Sequence, residues 1–510
     1  MKRFTLVITA MLLASVSFAQ SAADALAISQ VQYEGTARTM AMGNAFTALG
    51  GDLGALAVNP ASSAVFRNSQ FSLTPDFITS KGSSNYLGKV TNERSTDLAM
   101  SNAGFVFTFD TGNYTGLLNF NLGFTLNRTC NFNSIMGACG STAESSMLGS
   151  LAAGLSGVSS TILESSDGGS YNPYYDSSVS WPSILAWNTY VLAPVDDAEN
   201  EYIASTENID GKEIYIGGML NQDYFRKVSG GKHEFTVNFG ANVSDILFLG
   251  VNLNLLSVNY EVNEYYSEVA SNPGNFQDGF CSVRSNYWQN TTGSGVNAKI
   301  GAILTPLAGL RIGAALTTRT RYNLTDHWIN SMTTAFNNNH TYSEESPEGV
   351  YNYLISAPMR FNLGAAYTLG TFGLVSVDYE TFNNGGIILS DGQKSQFNFR
   401  DENDYISQRY GRSNIIRAGA EVWPVYSIAL RAGYNYYGTP GDGYEPVKIV
   451  SGGIGFKFGS QGKSNFDIAY QAVLGNSENF ALYNDYGPAA PVGTITRKTG
   501  KLAFTYSLKF

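Results

Sequence analysis

The chain has 510 residues, a formal net charge of −10 and only 14 % charged residues, with 54 Gly, 31 Tyr and 30 Phe. So acidic a chain, with a pI near 4.9, is a poor partner for nucleic acid, whose phosphates repel it. After the first residues no apolar run reaches the roughly 20 residues of a membrane-spanning helix, yet abundant glycine and aromatics at low charge suit many strands with an aromatic outer surface.

Met1-Lys2-Arg3, an apolar stretch from Leu6 to Val16, and Ser17-Phe18-Ala19 before Gln20 read as a secretory signal peptide, residues 1–19. No cysteine follows the cut, which argues against a lipoprotein anchor. Residues 20–67 come next and are the least strand-like part of the mature chain. Small residues crowd this stretch, Gly43, Gly50, Gly51, Gly54 and Ala61 among them. Small side chains let a backbone pack closely inside another structure, and glycine permits positive φ. The pattern predicts a helical fragment around residues 37–49 and a turn at Gly50-Gly51-Asp52. Asn59-Pro60-Ala61 is expected to be extended or turned, since the residue before proline avoids the helical region. The segment is either an ordinary irregular terminus or a plug packed inside whatever residues 68–510 build.

From there the dominant signal is alternation with period two. Leu118, Phe120, Leu122, Phe124 and Leu126 share one face; Phe235, Val237, Phe239, Ala241 and Val243 another; Leu502, Phe504, Tyr506, Leu508 and Phe510 close the chain the same way. About fourteen such strands are expected, near 69–79, 102–110, 115–127, 233–243, 246–262, 292–305, 308–322, 357–369, 372–382, 412–422, 425–436, 447–458, 464–475 and 500–510. With no helical layer to cover their apolar faces, they predict an all-β fold, a transmembrane antiparallel β-barrel with apolar side chains toward lipid. Short connections alternate with long ones, as periplasmic turns alternate with external loops. Both termini then lie on the periplasmic side of an outer membrane, and residues 20–67 can enter the lumen. On the strand from Ile246, Leu247 to Leu255 share a face that Leu256, Val258, Tyr260 and Val262 join only if one residue is inserted. Either a β-bulge sits near Leu255-Leu256 or the lumen is locally apolar.

The connection 129–232 is far longer than a loop needs to be. Met147, Leu148, Leu151 and Leu155 recur in it at helical spacing, and a second apolar piece carries Trp187. These helices either cap the barrel and bury one another, or form an external groove that collects a greasy ligand. Cys130 and Cys139 are expected to form a disulfide in this loop, with Cys281 free. The alternation turns Arg311, Arg319, Arg321, Arg360, Asp378, Arg417, Glu421 and Arg431 into the lumen. They either pair with each other and with the plug, or Arg319, Arg360 or Arg417 holds an anionic head group by charge-assisted hydrogen bonds. Asp326-His327 is an isolated acid–histidine pair and selects no catalytic site. No Cys/His cluster has metal spacing. Neither enzyme activity, metal nor cofactor is expected.

The segment GTARTMAMGNAFTALGGDLGALAVNPAS, the strands, the long helical third external loop and the terminal Phe510 together resemble the FadL/TodX family of outer-membrane transport proteins. The resemblance covers nearly the whole mature chain. It implies an N-terminal hatch, with Gly43, Gly50, Gly51, Asp52, Gly54, Asn59, Pro60 and Ala61 carrying its pattern. It implies passive, porin-like uptake of hydrophobic molecules such as long-chain fatty acids, by a monomer embedded in Gram-negative outer-membrane lipid. In the family the ligand leaves sideways at a kinked strand. Phe510 resembles the signal read by the barrel-assembly machinery. A neighbouring class of barrels with this N-terminal pattern acts instead as a binding partner in protein secretion or surface attachment.

Overall fold

A computed structural model of the chain describes residues 22–165, 171–176, 178–195, 200–211, 213–392, 399–441, 443–459, 463–484 and 489–510; the signal-peptide segment 1–19 lies outside them. Fourteen antiparallel wall strands close into one barrel. They are β1 (Gln70–Tyr86), β2 (Lys89–Asp110), β3 (Leu117–Asn131), β4 (Leu220–Val243), β5 (Leu247–Ala270), β6 (Phe280–Leu307) and β7 (Leu310–Thr317 with Thr320–Phe336). The second half is β8 (Gly349–Ala357 with Arg360–Leu369), β9 (Gly373–Asn383), β10 (Arg412–Val425), β11 (Ile428–Tyr437), β12 (Val447–Phe458), β13 (Ser464–Leu474 with Asn476–Ala481) and β14 (Val492–Lys509). Pairing of β1 with β14 closes the ring, and the Phe510 N–H completes it by donating to the Ser69 carbonyl at 3.0 Å.

Side chains alternate across the wall as a lipid-facing barrel requires. On β4, Phe235, Val237 and Phe239 are exposed outside while Thr236, Asn238 and Asn242 are buried inside. Comparable outward rows, such as Phe105, Phe107 and Phe109, would be an aggregating patch in water; against acyl chains they are the solvated face.

The strands overrun their sequence-based limits at the external end. β2 starts at Lys89, and its first residues, VTNERSTD, show no strong apolar alternation because neither face is well buried. The period-two signal reports lipid on one face and lumen on the other, so it fades where a strand leaves the bilayer. For the same reason β3 reaches Asn131 and β4 begins at Leu220, which cuts the insert between them to 132–219. The insert holds a strand, Ser134–Thr142, paired with β4, and helices Met147–Gly154 and Trp181–Asn188. We number the helices α1 (residues 22–29), α2 (Ala37–Ala41), α3 (Met147–Gly154), α4 (Trp181–Asn188) and α5 (Arg400–Arg409).

Three expectations are corrected. β5 pairs with β4 and β6 without a register shift, so no bulge exists at Leu255-Leu256; Leu256, Val258 and Val262 are instead buried inside a locally apolar lumen. Thr318 and Arg319 break β7 between its two pieces, and the break flips the phase by one residue. Arg319 and Arg321 are therefore exposed on the outside, not in the lumen, with Arg319 Nη1 donating to the Gly386 carbonyl at 2.9 Å. Cys130 lies opposite Lys232, and Cys139 opposite Asp223 on the same strand. At about 3.3 Å per residue the two cysteines stand roughly 30 Å apart, and all three cysteines are free.

Candidate functional site

Residues 22–66 fill the lumen. α2 is capped by Thr36, whose hydroxyl accepts from the Thr39 N–H. Asp52 ties the next turn back to it, accepting from Thr36 Oγ1 at 2.8 Å and the Gly54 N–H at 2.9 Å. Gly50 and Gly51 form the expected turn at φ +64° and +68°, where a side chain would strain the backbone. Asn59 caps the following 3₁₀ turn, Pro60–Val65, accepting from the Ala61 N–H at 3.0 Å while its Nδ2 donates to the Thr47 carbonyl at 2.6 Å.

Where this hatch comes closest to the wall, the wall offers glycines. Gly240, Gly250 and Gly301 lie side by side on β4, β5 and β6, and Gly419 faces Gly433 across β10 and β11. A Cβ on Gly250 would overlap the Pro60 backbone, on Gly301 the Asn59 amide, and on Gly419 the Met42 carbonyl. Glycine inside a strand signals such close approach, and a count of inward glycines could have revealed this girdle from sequence.

Buried ion pairs fasten the hatch above and below the girdle. Glu34 is bonded by Arg128 of β3 and Lys501 of β14. Burial alone would raise the Glu34 carboxyl, but Lys501 and Arg128 hold it below its ordinary value. Arg38 pairs with Glu421 at 2.9 Å, and Asp378 accepts the Thr47 N–H at 2.8 Å. Lys299 bridges Glu234 at 2.8 Å and the Ala57 carbonyl at 2.7 Å. Arg360 and Arg417 both pair with Glu380, at 2.8 and 2.6 Å, while Arg417 Nε and Nη1 are buried without a hydrogen-bond partner.

α1 stands above the hatch. Ala22, Ala25, Leu26 and Ile28 pack on Leu256, Val258, Val262, Leu324 and Ile355. Its C-terminal carbonyls sit on cations: Lys232 Nζ donates to Ile28 O at 2.6 Å and Arg360 Nη2 to Ser29 O at 2.9 Å. Over α1 lies a vestibule of about 550 Å³, lined by Met147 and Leu151 of α3, Trp181 and Pro182 of α4, and Tyr224, Arg226, Glu264, Tyr287 and Trp328 of the wall. Asp24 of α1 lines it from within the lumen. The Trp181 and Trp328 rings are 5.2 Å apart. On the other side of α1 is a chamber of about 920 Å³, reached by Leu26, Val31, Tyr437, Tyr444, Val447 and Ile449.

Of the expected ligand residues, Met147 and Leu151 thus line the vestibule. Leu148 and Leu155 are buried in the core of the cap, and Trp187 packs edge-on against Tyr202 at 5.9 Å. Tyr224, Arg226, Glu264, Tyr287 and Trp328 escaped sequence reading, because they lie beyond the bilayer-facing part of their strands, where alternation is weak. Asp326 and His327 part ways on their strand: Asp326 accepts from the Tyr353 hydroxyl at 3.2 Å and His327 Nδ1 meets Glu348 at 2.7 Å.

Beside the hatch, β2 and β3 part, and the insert strand Ser134–Thr142 lies against β1 and β2 above the parting, with Ser80 Oγ donating to the Asn133 carbonyl and Ser84 Oγ to the Gly137 carbonyl. β2 and β3 pair only from Asn102–Asn127 down to Asp110–Asn119. At that point β2 has a register shift against β1, and β3 has one between Arg128 and Cys130 against β4. Above it β2 follows β1 and β3 follows β4. The hatch reaches this parting, where the Gln32 N–H donates to the Thr129 carbonyl at 2.7 Å.

These features define a class of molecule, a fourteen-stranded outer-membrane-type barrel shut by its own N-terminal hatch. Solved structures of that class share the fold. The toluene transporter TodX of Pseudomonas putida is similar over 94 % of this chain and 99 % of its own, with 12 % identity and a TM-score of 0.54. A FadL homologue of Pseudomonas aeruginosa is similar over 94 % and 100 %, with 12 % identity and a TM-score of 0.54. The Ralstonia pickettii toluene transporter TbuX is similar over 94 % and 99 %, with 14 % identity and a TM-score of 0.50. No family model matches the sequence, and no curated protein is similar to it in sequence.

Proposed function

We propose that the protein is an outer-membrane channel for passive uptake of hydrophobic molecules. The observation that carries this reading is the aromatic vestibule, open above to the external cap and closed below by α1 and the hatch. An apolar body gains by leaving water for such walls, at about 25 cal/mol per Å² buried. The likeness to toluene transporters and a FadL homologue supports the same direction. Exit at the parting of β2 and β3 suits an apolar cargo, because the periplasmic cleft of about 230 Å³ is lined by Arg38, Asp52, Glu421, Arg431, Lys457, Asp467 and Lys509. Passage requires the hatch to shift, with Gly50, Gly51 and Gly54 as the hinge and Asn59-Pro60 as the fixed end. Uptake of labelled long-chain fatty acid and of toluene by a deletion strain, with and without the gene restored, tests the reading. Restored uptake of either cargo supports a channel. Equal uptake of both with wild-type protein, with a Pro60 substitution and with no protein rejects it and favours a role as a secretion partner.

A further inference from the structure

The outer wall carries a charge pattern that the lumen does not use. On β1 the outward residues run Phe71, Leu73, Pro75 and Phe77, then Thr79, then Lys81. On β14, from the periplasmic end, they run Leu508, Tyr506, Phe504 and Leu502, then Gly500, then Lys498. β2 ends its apolar run at Met100 and Leu98, followed by Thr96 and Arg94. On three neighbouring strands the first outward charge above the apolar face is thus a cation. The register puts all three on one rung, since Lys81 pairs with Arg94 on one side and with Lys498 on the other. Adjacent strands lie about 4.8 Å apart, so the rung is about 10 Å wide, and side chains this long can meet on a single anion. Phe71 and Lys81 are ten residues apart. At about 3.3 Å per residue and a tilt near 40°, that is roughly 25 Å along the membrane normal, the height of the apolar band of such barrels. The rung therefore stands where the external head groups begin.

These cations are unanswered by the protein. Lys81, Arg94 and Lys498 are exposed and make no ion pair or hydrogen bond among the described residues. β14 has no carboxylate. Asp76 of β1 turns inward to Arg128. Asp97 of β2 turns inward to accept from Asn133 Nδ2 at 3.2 Å, and the Glu93 side chain lies against Gly137. Like charges directly opposite one another destabilise a sheet, and this run of them stands in a chain of net charge −10. Neutral polar groups flank it. The Thr79 and Thr96 hydroxyls, 3.1 Å apart, are on the rung below, and Ser83, Asn92 and Thr496 are on the rung above. Further round the wall the first outward charge of β5 is instead Glu261, which accepts from Trp288 Nε1 at 3.1 Å.

We infer that this rung is a docking site for the phosphate of a phosphorylated lipid of the outer leaflet, whose acyl chains lie on Phe77, Leu98 and Leu502 below. Phosphate takes charge-assisted hydrogen bonds from lysine and bidentate ones from arginine, and its charge relieves the repulsion within the rung. A free phosphate would meet the same cations but leave the apolar residues beneath them uncovered; a lipid satisfies both. The bound lipid bridges β14, β1 and β2, across the seam that closes the barrel. The site is on the lipid side of the wall and is independent of what passes through the lumen.

The test is native mass spectrometry of the full mature protein in detergent, titrated with phosphatidic acid or with diacylglycerol of the same chains, which lacks only the phosphate. Phosphatidic acid is expected to bind about tenfold more tightly than diacylglycerol. The triple variant K81Q/R94Q/K498Q, checked for folding by heat-modifiable gel mobility, should bring the two within about twofold of each other. Each single variant should lose part of the preference, which keeps the test decisive if the triple variant does not fold. R284Q, at an exposed cation outside the rung, should lose none of it. Inorganic phosphate in excess should leave the lipid bound. Displacement by inorganic phosphate would mark a free-anion site and overturn the lipid assignment. Equal binding of the two lipids, or a preference unchanged in every folded variant of the rung, would overturn the site itself.

Discussion

Glu380 holds two arginines at once, Arg360 at 2.8 Å and Arg417 at 2.6 Å, in a lumen where all three side chains are almost wholly buried. Removing its charge strands two cations. Glu380→Gln is expected to destabilise the barrel by about 3–5 kcal/mol, the range for breaking a buried pair, read as loss of the folded band at a lower temperature on unheated gels. An unchanged transition would mean that water reaches both guanidinium groups. Asp24 offers a pH-dependent counterpart. Loss of hydration, with the Asp326 carboxylate near it, pushes its pKa from 3.8 up to about 7, while Arg226 pulls it back; the Tyr260, Tyr287 and Tyr353 hydroxyls complete its surroundings. An undocked α1 returns the carboxyl to its ordinary value. Between those two values the docked state binds more protons, so docking is strongest at low pH and weakens as the pH rises toward 7. A spin label on α1 should be more mobile at pH 8 than at pH 5, and Asp24→Asn should remove the difference. Equal mobility at both pH values in the wild type would contradict this account.

At the scale of elements, every wall strand was legible from period-two alternation, because lipid and lumen impose opposite chemistry on successive residues. The strand ends were not. Val90–Asp97 and the start of β4 stand above the bilayer, where no such contrast exists. The break at Thr318-Arg319 was equally hidden, since alternation counted straight through it turned Arg319 and Arg321 the wrong way. The candidate site was legible only in part. Small residues announced the hatch and helical spacing announced α3, but the vestibule is assembled by tertiary contacts among five strands, two cap helices and α1. The last strand carries its own prediction. Phe510 pairs with Ser69 at the seam between β14 and β1, so deleting it removes the final rung of closure. The folded fraction in the outer membrane should fall severalfold, measured by heat-modifiable mobility; an unchanged fraction would show that the seam closes without it.

For the whole molecule, a closed barrel of fourteen strands leaves a lumen that solutes would cross unless something fills it. Residues 22–66 are that filling. Deleting them while keeping residues 1–21 should turn a silent protein into a steadily conducting pore in planar bilayers, provided the shortened chain still folds as judged by gel mobility. A folded but silent deletion would mean that the external cap alone seals the lumen.

The glycines that face the hatch also imply an order of construction. A barrel closed on its own would present a band of bare backbone at that height. The hatch would then have to thread through finished strands to reach Gly250, Gly301 and Gly419. A hatch that waits in place avoids both problems, and its position at the head of the chain delivers it before any strand. It then serves as a mandrel: the wall winds around it, and each glycine lets a strand settle against it.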